Sequence, residues 1–219
     1  MDPQDLNDYV TRYEAMLREH GPTHRALGWG ENGRQDLRFS VLSEPAIAMG
    51  NPSVLDVGCG FGDLYHYLKR RGWEGNYVGV DIVEQLLTVA RQRHPEVEFI
   101  ERDITAEGAE LGTFDFVIAS GIANARLPSG DNQGHIVRLL NSMRKHARVA
   151  VCMDFLSTFV DFQRPESWHT DPHWILDISR SISRRVTLRM DYMPFEYSVI
   201  LWCDDAIHDR NVFPPRPSL

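Results

Sequence analysis

Apolar positions fall into two periods along the chain. Over residues 5–20 they recur every three to four places, as in an amphipathic helix, and a Gly-rich connection, GPTHRALGWGENGRQDLR, leads into a second short helix at about 35–48. From residue 53 onward, strand-like runs alternate with helical ones: SVLDVG, a helix over 62–71, NYVGVD, a helix over 83–93, VEFIERD, a loop with room for a short helix, then FDFVIAS. The alternation continues through a helix at 133–146, RVAVCMDF, a helix at 172–182, RRVTLRMDY and FEYSVILWC. Continuous apolar strands separated by helices imply a mainly parallel sheet covered on both faces. Only MPF, between the last two strands, is too short for a parallel crossover, so those strands must form an antiparallel hairpin. The pattern predicts an α/β fold: a Rossmann-like, seven-stranded, mostly parallel sheet with a C-terminal antiparallel β-hairpin, helices on both faces and an N-terminal helical lid.

The same reading divides one domain into an N-terminal helical cap over 1–50, a core over 51–205 and a loose tail over 206–219, whose last six residues hold three prolines. Asp171 or Thr170 is the expected N-cap of helix 172–182, with Pro172 at its first position. At 219 residues the chain suits a single core, and 42% hydrophobic with 25% charged residues is ordinary for a globular protein. No apolar run reaches the roughly 18 to 20 residues of a membrane helix, and the acidic start MDPQDLNDYVTRYEAM lacks a signal peptide's basic and apolar regions. The expected location is therefore cytoplasmic, with no membrane partner. A net charge of −8 opposes a general grip on phosphate backbones, so nucleic acid is not an expected partner either. Cys59, Cys152 and Cys203, odd in number and widely spaced, read as buried reduced thiols.

The chemistry begins at VLDVGCGFGDLYHYLKRRG, Val54 to Gly72, where a strand runs into glycines at 58, 60 and 62 and a helix follows. A Gly-rich turn between strand and helix suits a nucleotide-like ligand at the carboxyl edge of a parallel sheet. A dinucleotide fingerprint would have glycine at 63, where this chain has Asp63. Together with Asp56 it would repel a pyrophosphate, whereas a ligand bearing a cationic amino group would be favoured. Asp81, nineteen positions after Gly62, is placed to accept hydrogen bonds from both hydroxyls of a ribose.

DVGCGFG, GVD, RDI and FDFVIAS, in this order, resemble the class I methyltransferases dependent on S-adenosyl-L-methionine. The likeness covers roughly residues 53–156 and extends more loosely to the hairpin. It implies that Asp56 and the backbone of Gly58, Cys59 and Gly60 hold the methionine amino group and sulfonium region. It further implies that Asp81 holds the ribose, Ile82 packs on adenine, Asp103 and Ile104 approach the adenine edge, and Ser120 and Gly121 line the methionyl part. Asp115 matches the family's acidic residue at the start of the fourth strand and reads as structural.

Ligands of open α/β sheets sit outside the carboxyl ends of the strands, which nominates three loops and the N-terminal cap for the second substrate. Asn124, Arg126 and Trp168 come from the loops, Tyr9, Trp29 and Arg38 from the cap. Arg126 is open to a substrate carboxylate or to Asp131. His169 is the first choice of general base, then Asp191 or Tyr192. His169 and His173 are four apart, but the intervening N-cap and proline keep them off one helical face, so no metal is expected. SGIA stands where methyltransferases acting on exocyclic base or amide nitrogens carry NPPY or DPPY, which argues against DNA adenine and glutamine and leaves the carboxylate, hydroxyl and amine groups of small molecules open; an oxygen or nitrogen of a small molecule is the expected acceptor. The same cofactor could instead react at its aminocarboxypropyl carbons, by transfer or by cyclisation with release of methylthioadenosine, or serve a non-catalytic binding protein.

Overall fold

A computed structural model of the chain describes residues 1–28 and 34–206. Trp29 and the tail from 207 lie outside the described residues. Helices α1 (Pro3–His20) and α2 (Arg34–Ala48) precede the core, separated by a 3-10 turn at His24–Leu27. The core then runs β1 (Val54–Val57), α3 (Asp63–Arg70), β2 (Tyr77–Asp81), α4 (Glu84–Arg93), β3 (Glu98–Glu101), β4 (Phe114–Ala119), α5 (Asn132–His146), β5 (Ala147–Leu156), α6 (Pro172–Ile182), β6 (Val186–Arg189) and β7 (Glu196–Trp202). All seven strands form one sheet in the order β3-β2-β1-β4-β5-β7-β6, and β7 alone runs against its neighbours. The expected hairpin is thus β6 and β7. The segment between β3 and β4 holds no helix.

Every residue of β1 and β2 is buried, as expected for central parallel strands with helices on both sides. On one face Leu42 of α2, Leu64 and Leu68 of α3 and Leu87 of α4 pack against Phe116, Ile118 and Cys152. On the other, Leu139, Leu140 and Met143 of α5 and Ile175 of α6 pack against Leu55, Val117 and Val151. Asp171 is the N-cap of α6, accepting from His173 N at 2.7 Å, with Pro172 opening the helix. Cys59 and Cys152 are buried, Cys203 is half-buried, and all three are free thiols.

Two sets of polar contacts hold the N-terminal helices over the carboxyl edge of the sheet. Asp5 of α1 is buried and accepts from the backbone and hydroxyl of Ser129, at 3.0 and 2.7 Å, while the Tyr9 hydroxyl donates to Ile122 O at 3.2 Å. Arg38 of α2 donates through Nε and Nη2 to both oxygens of Glu196, the first residue of β7. Both members of this pair are buried, so removing one leaves the other charged and desolvated.

Arg38→Met is therefore expected to cost about 3–5 kcal/mol, on the scale of broken buried ion pairs. In a chain of this size that lowers the thermal midpoint by about 6–20 °C. Arg189→Met is the control. Its partners Glu44 and Asp191 are exposed, and it should cost no more than about 1 kcal/mol by the same calorimetric measurement.

Candidate active site

The carboxyl ends of β1, β2 and β4, the start of β7 and the inner faces of α1 and α2 enclose a cleft of about 830 Å³. One end is built by the glycine turn after β1. Gly58 and Gly60 have φ of 72° and 54°, the left-handed region that glycine enters without strain. The N–H groups of Gly58 and Cys59 donate to Val80 O at 2.8 and 3.1 Å, which folds the turn back onto β2. A Cβ at Gly58 would stand 2.2 Å from Ile122 Cγ2, and one at Gly60 3.1 Å from the Leu27 side chain. The loop after β4 and the cap thus close directly on the turn.

Asp81, the last residue of β2, accepts from Gly60 N at 2.9 Å through Oδ2 and from Val83 N at 3.0 Å through Oδ1. A carboxylate has about four acceptor sites, so each oxygen keeps a lone pair free where the residue lines the cleft. Asp56 is buried in β1 and accepts from the Tyr77 hydroxyl at 2.5 Å. Burial raises its carboxyl to about 7, the tyrosine bond opposes that, and the nearby carboxylates of Asp81 and Asp63 add to it. Gly79 lies opposite Asp56 in the sheet, and a Cβ there would meet Phe99 at 2.6 Å and Cys59 Sγ at 2.8 Å. The three acids gathered here suit a ligand that is positive on this side and oppose a phosphate.

Further along the same wall lie Ile82, Asp103 and Ile104. The Met1 amino group donates to Asp103 at 2.6 Å, and Thr105 donates from its backbone and hydroxyl at 2.8 and 2.7 Å. Although burial alone would raise the Asp103 carboxyl, these donors hold it below the usual range. His135 of α5 also reaches this wall, buried and with no hydrogen-bond partner for Nδ1 among the described residues, and its burial lowers the imidazole to about 4.

Across the cleft, Ser120 and Gly121 follow β4. Their positions are set by Asp154 of β5, whose carboxylate accepts from Ser120 Oγ at 2.5 Å and Gly121 N at 2.7 Å. Asn124 accepts from Leu156 N at 3.0 Å through its side chain and from Trp168 N at 2.9 Å through its backbone, joining the loops after β4 and β5. His169 lies on the loop after β5 and lines the cleft. Its Nδ1 is 2.7 Å from Ser157 O, and a carbonyl can only accept, so Nδ1 carries a hydrogen and Nε2 is the nitrogen left to face the cleft chemistry.

All the residues expected at the nucleoside end line one cleft, and Tyr9, Arg38, Asn124 and His169 join them. Four others are placed differently. Asp191 is exposed and accepts from Arg189 Nε at 2.7 Å, and Tyr192 bonds Ser198 Oγ at 2.7 Å; neither lines the cleft. The reason is the hairpin register, because Leu156 pairs with Glu196, which brings Phe195 and Glu196 rather than the preceding turn to the edge. Arg126 is exposed, donates to Pro165 O at 2.9 Å and covers the Trp168 ring at 5.3 Å. Asp131 pairs with Arg138 instead. Trp168 packs beneath the cleft wall against the core. Asp154, His135 and Arg34 escaped the sequence reading. For Asp154 the available signal was a lone acid inside an apolar strand, and for Arg34 its position one helical turn before Arg38.

A family model described as "Methyltransferase domain" matches residues 54–148. A curated protein of Mycobacterium tuberculosis, named "Putative methyltransferase", is 30% identical over 158 residues, covering 68% of this chain and 92% of that protein. The magnesium-protoporphyrin O-methyltransferase of Rhodobacter capsulatus is 38% identical over 92 residues, 40% of this chain and 39% of its own length. This chain thus spans well under half of that relative. Among solved structures, the magnesium protoporphyrin IX methyltransferase of Synechocystis with bound SAH has a TM-score of 0.65 at 16% identity, covering 90% of this chain and all of that one. A SAM-dependent methyltransferase of Aquifex aeolicus has a TM-score of 0.59 at 16% identity, over 88% of this chain and 98% of its own. At such identities the likeness is one of fold.

Gly58→Ala should lower stability more than Gly60→Ala in thermal unfolding. The Gly58 methyl meets Ile122 well inside contact distance, on the scale of about 1–3 kcal/mol for overpacking, whereas the flexible Leu27 side chain can yield to the other.

Proposed function

The chain belongs to the class I S-adenosylmethionine-dependent methyltransferase family, and from that premise we propose that it methylates an oxygen or nitrogen of a small molecule seated in the outer half of the cleft. The observation that carries this reading is an enclosure with an acid-rich glycine turn at one end and the His169 imidazole, its Nδ1 held by Ser157 O, at the other. Its volume of about 830 Å³ lies within the range of about 300–1,000 Å³ for small-ligand sites. Relatives named for magnesium-protoporphyrin, ubiquinone-pathway and trans-aconitate methylation support a small acceptor.

The residues present fit S-adenosylmethionine. When bound, it supplies a methyl group on a positively charged sulfur. Asp81 offers its remaining lone pairs to the ribose hydroxyls while its other bonds fix the turn. Asp56 receives the amino group, Ile82, Asp103 and Ile104 surround the adenine, and Ser120 and Gly121, held by Asp154, border the methionyl part. The protein contributes mainly alignment, which for a displacement reaction is a large share of the barrier. A hydroxyl or protonated amine must also lose its proton, and His169 Nε2 takes it, with the Ser157 carbonyl stabilising the imidazolium through Nδ1–H.

Incubation with S-adenosylmethionine and a metabolite extract should yield S-adenosylhomocysteine by mass spectrometry. Methylthioadenosine as the product would overturn methyl transfer. His169→Gln is expected to lower kcat by about 10²–10⁴-fold with unchanged affinity for S-adenosylhomocysteine. Asp81→Asn should weaken that affinity by tenfold or more in calorimetric titration, on the scale of about 1.5–3 kcal/mol for a charged hydrogen bond.

Asp56 gives a pH signature. With its carboxyl at about 7, the group is neutral below that pH and anionic above it. A cationic amino group favours the anion, so binding S-adenosylhomocysteine at pH 7 should release protons, seen as heats that vary with the buffer's ionisation enthalpy. Affinity should rise from pH 6 to pH 8. Both effects should vanish in Asp56→Asn.

A further inference from the structure

Among the described residues, the cleft is lined by cations that no acid pairs with, and one of them, Arg34, is held against an aromatic ring. Arg34 and Arg38 lie one turn apart on the face of α2 that lines the cleft. Arg38 is buried and spans both oxygens of Glu196. Arg34 is exposed and makes no hydrogen bond or ion pair among the described residues; its guanidinium lies 4.8 Å from the centroid of the Phe195 ring. The acids facing the inner cleft already have donors. Asp63 accepts from Arg93 at 3.3 Å and Gln35 at 3.1 Å, Glu196 from Arg38, Asp81 from two backbone N–H groups and Asp103 from Met1. On the outer rim Asp161 and Arg164 lie three residues apart on one exposed loop and offset each other in net charge.

Stacking on an aromatic ring uses the face of a guanidinium and leaves its N–H donors around the edge, in the planar fork that matches a carboxylate. Phe195 therefore positions Arg34 without consuming its donors. The wall supplied by the loop after β5 carries Phe159 and Phe162, which are 53% and 74% exposed, unusually bare for side chains of that size. An apolar wall and a presented, unmatched guanidinium share one cleft with His169.

We infer that the acceptor is a ring-bearing carboxylic acid, its carboxylate received by Arg34 and its apolar body lying against Phe195, Phe159 and Phe162. The methyl group then goes to a hydroxyl or amine elsewhere on the molecule, within reach of His169, because the carboxylate is engaged as the anchor. This rests on the methyltransferase reading above and names the substrate class for it.

The test uses 2-naphthoate and its neutral isostere 2-naphthamide, titrated by their fluorescence into the full chain saturated with S-adenosylhomocysteine. Wild-type protein should bind the acid at least tenfold more tightly than the amide. Arg34→Gln should abolish the difference while leaving the amide's affinity and the thermal midpoint unchanged, and Arg34→Lys should restore only part of it. Equal binding of acid and amide, binding of neither, or a preference that survives Arg34→Gln would overturn the inference. A separate calorimetric titration with S-adenosylhomocysteine reports on the underlying reading. Loss of that binding in wild-type protein refutes the cofactor site, whereas normal cofactor binding without an Arg34-dependent preference refutes only the substrate class.

Discussion

One carboxylate joins the two strands on which the site is built. Asp81 ends β2 and takes the N–H of Gly60 from the turn after β1 and the N–H of Val83 at the start of the next helix. Buried donors of this kind need partners, and a charged acceptor gives them shorter and stronger bonds than a neutral one. The glycine turn needs this support because Gly58, Gly60 and Gly62 sit at positive φ and bring no side chains of their own, leaving Cys59 and Phe61 to pack between them. With the turn fixed, Asp56, the loop after β4 and the cap helices all find their places against it. The group that fixes the turn thus also lines the cleft, so a change at that position alters both the turn's support and the cleft wall.

The opposite end of the cleft rests on buried charge rather than on backbone geometry. Arg38 with Glu196 ties the cap to β7, and Asp154 ties the loop after β4 to β5. Burial raises the Asp154 carboxyl, and the Arg38 charge and the bonds from Ser120 and Gly121 act against that rise. Such groups cost desolvation and give it back only when every partner is in place. This side of the cleft is consequently cooperative: α2, β5 and β7 position one another, and none of them alone defines it.

This difference explains what could be read from the chain. The wall built on β1 and β2 is legible because its acids lie at strand ends marked locally, Asp56 by the glycines that follow and Asp81 by the apolar run that precedes it. Helix α6 was equally plain, since Asp171 and Pro172 signal its start within two residues. The wall opposite depends on partners far apart in sequence. Arg38 meets Glu196 across 158 positions and Tyr9 meets Ile122 across 113, distances at which periodicity carries no information. Asp191 and Tyr192 were nominated from their place near a turn, but the pairing of Leu156 with Glu196 decides which hairpin residues reach the edge, and no local feature encodes that register. Arg126 and Trp168 fell out for a similar reason, as they find each other and Pro165 instead of the cleft.

The reversed direction of β7 has a further consequence. In the parallel strands the chain arrives at the cleft after crossing the sheet, so their contributions come at the end of a buried run whose length is fixed by packing. In β7 the chain departs from the cleft, and its contribution, Phe195 and Glu196, comes straight out of a short surface turn. Insertions or exchanges in that turn alter the floor of the cleft through a strand that borders β5 and β6 and not β1 or β2. A protein engineer has there a module at the mouth of the cleft that can be exchanged without editing the turn that follows β1.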